Sequence, residues 1–166
     1  MNSKGVSLMV IKIEEAKEQQ YIEVNRLVRQ GHDKHVQGDS AVFQEVESVM
    51  PEEYYLQLLE QEQSTVLIAR EENKIIGFAV ISIEASPDFP SLVNRRYAYI
   101  HDFGVDQSSK RKGIGSLLFE ACLEWAKEMN VDKVELNVWE FNEEAIAFYR
   151  KHSMETISRK MRLAIR

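Results

Sequence analysis

Apolar positions change period along this chain, and each change marks an element. Met9 to Ile13 reads as a short first strand. Glu15 to Arg29 places Ala16, Tyr21, Ile22, Val24, Leu27 and Val28 at the spacing of a helix packed on a sheet. Gln30 to Ser40 carries Gly31, Gly38, two histidines and acids, and predicts a mobile loop. Pro51 suits the first position of a helix over Glu52 to Gln61. Thr65 to Arg70 and Lys74 to Ala85 are strand-like, and Glu71-Glu72-Asn73 between them signals a hairpin. Ser86 to Ser91 breaks the pattern with two prolines before a long strand, Tyr97 to Val105. Gly113 to Met129 is an amphipathic helix, Lys133 to Val138 is strand-like, and a further helix follows Asn142. The tail from Glu155 to Leu163 alternates enough for a last strand.

The resulting order, β-α-α-β-β-β-α-β-α-β, belongs to a mixed α/β class. With 166 residues, 44% of them hydrophobic, the chain is long enough for a real core. Residues 1–166 are expected to form a single domain, because no repeat, low-complexity tract or linker interrupts them.

Chemistry concentrates between the long strand and the helix after it, in Val105-Asp-Gln-Ser-Ser-Lys110-Arg111-Lys112-Gly113-Ile114-Gly115-Ser116. A loop ending at a helix N-terminus gathers backbone N–H groups that the helix cannot satisfy, and adds the positive end of the dipole. Glycine at 113 and 115 lets a phosphate approach the main chain. Lys110, Arg111 and Lys112 surround it with positive charge. A phosphorylated ligand is therefore expected here. The nucleotide P-loop string is absent, and the dinucleotide fingerprint lacks its third glycine because Leu118 stands there.

A second motif follows the next strand: Asn142-Glu-Glu-Ala145-Ile-Ala-Phe148-Tyr149-Arg-Lys-His152-Ser153-Met154. Asn142 is a natural N-cap, with Glu143 and Glu144 in the first turn where the dipole favours them. The two motifs together resemble the signatures of the GNAT N-acetyltransferase superfamily, over about residues 64 to 163. The first matches [Arg/Gln]-x-x-Gly-x-[Gly/Ala], with Lys110 in place of Arg or Gln. The second matches Asn-x-x-Ala-x-x-Phe-Tyr-x-x-x-Gly-Phe, with Ser153-Met154 in place of Gly-Phe.

The resemblance implies a central twisted, mostly antiparallel sheet of six to seven strands flanked by about four helices, with a splayed strand pair holding acetyl-CoA. It implies that Phe103, Gly104 and Val105 offer backbone groups to the pantetheine arm. Lys110 and the residues Arg111 to Ser116 would cradle the pyrophosphate, and Asn142 would hydrogen-bond the arm. Tyr149 falls on the family's general acid, and a backbone N–H such as that of Val105 would face the thioester oxygen. The expected reaction is direct attack of a primary amine, on a small molecule or a peptide, through a tetrahedral intermediate that releases coenzyme A. The family's usual glutamate is missing at Tyr99. Tyr99-Ile-His101-Asp102-Phe103-Gly-Val105 is similar to a polyamine acetyltransferase string with His101 in the glutamate position. His101 is thus a candidate base as well as a candidate structural histidine. Strict alternation would put Tyr99, His101 and Phe103 on one strand face and Asp102 on the other. A non-catalytic acyl-CoA-binding module is the alternative.

Composition bounds the rest. A formal net charge of -6 argues against nucleic-acid binding and suits a cationic amine. No apolar run is long enough for a membrane span, and the first ten residues have too short an apolar stretch for a signal peptide. The single cysteine, Cys122, excludes a disulfide framework and points to a reducing cytoplasm. No Cys/His cluster completes a metal site beside His32 and His35. Oligomeric state carries no signal in the sequence, although homodimers are common in the superfamily.

Overall fold

A computed structural model describes residues 10–165. Its order is β1 (Ile11–Glu15), α1 (Tyr21–Gly38), α2 (Glu52–Glu60), β2 (Ser64–Glu71), β3 (Lys74–Ala85), β4 (Arg96–Val105), α3 (Ile114–Glu128), β5 (Val134–Leu136) and α4 (Glu143–Lys151). The expected start of the first strand at Met9, and most of the segment read for a signal peptide, lie outside the described residues. The strands form one mixed sheet in the order β1-β2-β3-β4-β5. Neighbours are antiparallel except β4 and β5, which are parallel.

β3 sits at the centre and is apolar on both faces, as a strand covered on both sides must be. Phe78 and Val80 point to the α1/α2 layer, where they meet Val24, Leu27, Tyr55 and Leu58. Ala79, Ile81 and Ile83 point the other way, toward Leu118, Phe119, Cys122 and Ala126 of α3. Burial pushes the Cys122 thiol up to about 12, which keeps it an uncharged packing group. Among the described helices, none is long and apolar enough to cross a membrane.

Four expectations need correction. The loop expected over Gln30 to Ser40 is helical as far as Gly38. His35 stacks on Phe43 at 4.9 Å between ring centroids, and the helix packs so tightly at Gly38 that a Cβ there would overlap the Phe141 ring. These tertiary contacts override the local glycine signals. Pro51 is the N-cap of α2, one position earlier than expected. Ser153-Met154 in place of Gly-Phe argues against a left-handed exit after α4, yet Ser153 adopts it at φ 63°, with Met154 N–H bonded to the Tyr149 carbonyl at 3.0 Å in a Schellman-type closure. Among the described residues the sheet has five strands, not six or seven. The last strand expected over Glu155 to Leu163 is not formed: residues 155–165 are exposed and without a backbone hydrogen bond among the described residues.

Candidate active site

The site begins where two parallel strands part. β4 pairs with β5 only from Ala98 to Ile100, against Val134 to Leu136. β4 then continues to Val105, whereas the chain after Leu136 turns toward α4, and a gap opens between them. At the same point the β3–β4 register slips: Ile81 faces Ile100 and Val80 faces Asp102, so His101 has no opposite residue. That is a β-bulge, which bends its strand and re-aims the side chains beyond it.

The bulge overturns the expected facing. Tyr99 and His101 share one side, with ring centroids 4.9 Å apart. Asp102, opposite Val80, faces the α1/α2 layer. Phe103 falls on the opposite face and packs on Phe119, Phe148 and Tyr149. His101 is exposed, its Nε2 2.7 Å from Ser82 Oγ, which itself donates to Glu84 at 2.8 Å.

Past the bulge, Asp106 N–H donates to the Ile76 carbonyl at 2.8 Å. Gly77 and Val105 are therefore a non-hydrogen-bonded pair, and ladder alternation turns the N–H and C=O of Val105 and Phe103 away from β3, into the gap. By the same alternation Gly104 spends its backbone groups on β3, so two of the three expected residues present main-chain atoms to the cleft.

Asp106 fixes the loop that floors the cleft. Its buried carboxylate accepts from Ser108 N–H at 3.0 Å and Ser108 Oγ at 2.7 Å, and from Arg26 of α1 at 2.8 Å. Burial opposes its ionisation, but the bonds from Ser108 and Arg26 outweigh burial and hold the carboxyl well below the usual range. Asp106→Ala is expected to lower unfolding stability by about 2 kcal/mol in urea titration. This is less than for a fully buried pair, because Arg26 is 41% exposed. The loss should appear above the unfolded carboxylate pKa of about 3.9 and shrink as pH falls below it, since the native pKa is the lower one.

Beyond Asp106 the chain makes a short 3-10 turn at Gln107–Ser109 and enters two left-handed residues, Arg111 at φ 62° and Gly113 at φ 79°. Gly113 is the N-cap of α3. The first helical bond is donated by Leu117 to the Gly113 carbonyl. Among the described residues, the amides of 110 to 116 have no backbone acceptor. Gly115 lies so near α4 that a Cβ would come 3.2 Å from the Phe148 ring.

The cleft above this floor has a volume of about 520 Å³. Of the residues expected from sequence it brings together Phe103, Gly104, Val105, Lys110, Arg111, Gly113, Ile114, Gly115, Ser116, Asn142 and Tyr149. Lys112 and His101 do not line it. Asn142 caps α4, its Oδ1 accepting from Ala145 N–H at 3.3 Å, which leaves the side-chain NH₂ directed elsewhere.

Several lining residues carried no sequence motif. Gln30, Lys34 and His35 reach the cleft from the unforeseen end of α1. Glu144 on α4 bonds Lys110 at 2.8 Å and Lys34 at 3.4 Å, a carboxylate clasp joining three elements across the mouth. The Lys110 hydrogen bond holds Glu144 below its ordinary pKa. Lys34 is lowered by the adjoining Lys110 and by partial burial.

Asp102 is the other addition. Removal from water pushes its carboxyl up to about 6, against smaller opposing effects of the Phe103 N–H and His32. A single acid within an apolar strand run was the available signal. Tyr149 stands nearby: burial first, then Cys122 and Asp102, raise its phenol well above the usual value. Trp139 stacks with Phe141 and meets Phe43 edge-on, away from the cleft lining. Among the described residues no group of three His, Cys, Asp or Glu could hold a metal ion.

A splayed parallel pair over an amide-rich loop at a helix N-terminus is the arrangement of an acyltransferase scaffold, and the comparisons agree. Residues 35–154 match the model of the Acetyltransferase (GNAT) family. The chain belongs to that family. Streptothricin acetyltransferase A of Bacillus subtilis is 38% identical over 56 residues, which is 34% of this chain and 32% of that one. The chain therefore spans about a third of that relative's length. Among solved structures, the tetramutant of the BH1408 protein from Bacillus halodurans is 35% identical, with TM-score 0.88, covering 93% of this chain and 99% of that one. Aminoglycoside N-acetyltransferase AAC(6')-Iy in complex with CoA superposes with TM-score 0.67 at 14% identity, over 95% and 96% of the two chains, a likeness of fold.

Proposed function

We propose that the chain, acting as one domain, is an acetyl-CoA-dependent N-acetyltransferase whose acceptor is a primary amine on a small molecule or peptide. One observation carries this above the others: among the described residues the amides of 110 to 116 have no backbone acceptor, and the loop they form, Lys112 aside, lines a cleft that Tyr149 also lines. Such a row of N–H groups with two left-handed residues is a cradle for a diphosphate. The donor set therefore fits coenzyme A, with Arg111 and Lys110 adding charge, and Phe103, Val105 and Asn142 available to the pantetheine arm. The bound cofactor would supply an activated thioester.

The chain's own groups do the rest. Placement in the gap gives proximity. The Val105 N–H, pointing into the gap, would receive the carbonyl oxygen as the carbon becomes tetrahedral. Tyr149, protonated at every working pH, would donate to the departing sulfur. Asp102, facing the α1/α2 layer with a pKa near 6, would take the proton that the incoming ammonium must lose. The bulge favours it over the exposed His101. A net charge of -6 supports a cationic substrate.

The direct test is release of free thiol from acetyl-CoA with a panel of amines that includes aminoglycosides, polyamines and amino acids. Amine-dependent thiol release is the expected result. Micromolar coenzyme A binding with no turnover for any amine would instead indicate the acyl-CoA-binding alternative. Absence of coenzyme A binding would remove both.

A further inference from the structure

The phosphate loop and the far end of α4 meet in one side-chain hydrogen bond. Ser116 Oγ lies 3.0 Å from Nε2 of His152, across 36 residues of chain. Ser116 is in the first turn of α3 and lines the cleft, whereas His152 is the C-cap of α4. Aromatic neighbours seat the imidazole: its ring stands 4.9 Å from that of Phe119 and 4.7 Å from that of Phe148, centroid to centroid. The positive end of one helix dipole and the negative end of another therefore meet at this bond. The α3 end opposes a positive charge on the ring, and the α4 end favours one. An anion at the α3 end tips that balance toward the imidazolium.

We propose that His152 is a positioning residue for the cofactor, one that orients the Ser116 hydroxyl and takes up a proton when a diphosphate binds. The inference rests on the proposed coenzyme A site and adds to it a residue outside the cleft lining. When Nε2 carries a proton it donates to Ser116 Oγ, and the hydroxyl proton is free to point at the anion. When Nε2 is bare, the hydroxyl donates to the ring and offers the anion only lone pairs. A bound diphosphate thus selects the protonated nitrogen. A proton on each ring nitrogen then places a positive charge one hydrogen bond from the anion. Histidine is the side chain suited to make this change between about pH 5 and 8. On the α3 side, the titratable or charged groups nearest the bond in the chain are Lys112, Glu120 and Cys122; on the α4 side they are Tyr149, Arg150, Lys151 and Glu155. Burial keeps Cys122 and Tyr149 neutral. The charged ones form no ion pair with His152 among the described residues, where the paired histidine is His101. The ring is therefore free to answer the anion.

Equilibrium binding of dephospho-coenzyme A to the full chain tests this, because its diphosphate, unlike a phosphate monoester, keeps a constant charge near neutral pH. His152→Gln retains an N–H donor of similar reach but has no proton to gain. Its Kd is expected within about two-fold of the wild type at about pH 8, and about five-fold weaker at about pH 5.5. Other groups that titrate near the cleft, Asp102 among them, are common to both proteins and cancel in the comparison. In a Ser116→Ala background the same gap should shrink to about two-fold, since the link to the anion is cut. Calorimetry at about pH 6.5, in buffers of different ionisation heat, should show proton uptake on binding that His152→Gln lacks. Coincident curves for wild type and His152→Gln overturn the proposal. So does a loss of affinity equal at both pH values, which is the mark of packing alone, or a gap undiminished by Ser116→Ala. Failure of coenzyme A itself to bind removes the functional reading together with this inference, whereas binding with coincident curves removes this inference alone.

Discussion

Tyr149→Phe is expected to reduce kcat by about 100- to 1000-fold while the coenzyme A Kd changes by less than about two-fold. The two effects separate because the ring and the hydroxyl have different surroundings. The ring packs on Phe103, Phe119 and Phe148, and phenylalanine keeps those contacts. No hydrogen bond from a described residue perturbs the phenol, which borders the cleft. Removing it leaves the floor at 110–116 and the gap intact but would strip the proposed proton source from the sulfur. Because the phenol pKa is raised, wild-type rate should show no alkaline loss attributable to this group below about pH 10. Single-turnover measurements beside equilibrium binding would resolve the two quantities. Undiminished single-turnover rates in the variant would remove Tyr149 from the chemistry.

Asp102→Asn is expected to do two opposite things. Turnover should fall by about 100-fold, and the rise of kcat/KM through about pH 6 should vanish, because the group that titrates there is gone. Stability should increase. The native pKa of about 6 lies above the unfolded value of about 3.9, so ionisation is harder in the fold than out of it. The native state bears no such penalty below about pH 4 and bears all of it above about pH 6. Two pKa units correspond to about 3 kcal/mol, and the solvent that still reaches the carboxylate brings the expected gain to about 2 kcal/mol at pH 7. Thermal melts should show the variant several degrees higher at pH 7 and level with the wild type near pH 4. A variant less stable at pH 7, or one that keeps the wild-type pH profile, would show Asp102 to be an ordinary structural residue. His32 of α1 lowers the pKa of this carboxylate and the carboxylate raises that of the Tyr54 phenol of α2, so the profile should be followed in their variants too.

What could be read from the residues was local chemistry. Asn142 with two acids after it, and Gly113 before an amphipathic run, declare helix starts within a few positions, and both stand where expected. Long-range decisions were not legible. α1 continues past Gly31 to Gly38 because His35 and Gly38 find Phe43 and Phe141, the latter about a hundred residues away. Period-two reasoning presumed an unbroken ladder on β4, and one bulged residue at His101 exchanged the roles of its neighbours. It also gave the tail a strand's pattern, although residues 155–165 form no strand.

The clasp at the cleft mouth has a consequence for how the protein meets its ligand. Lys34, Lys110, Arg111 and Lys151 border one concavity, and Glu144 already sits among them. Arrival of a polyphosphate there, as proposed, would be an exchange of anions, with a resident carboxylate displaced as the visitor docks. Added salt weakens both partnerships at once, so measured affinity should decline with ionic strength more gently than four bare cations would dictate.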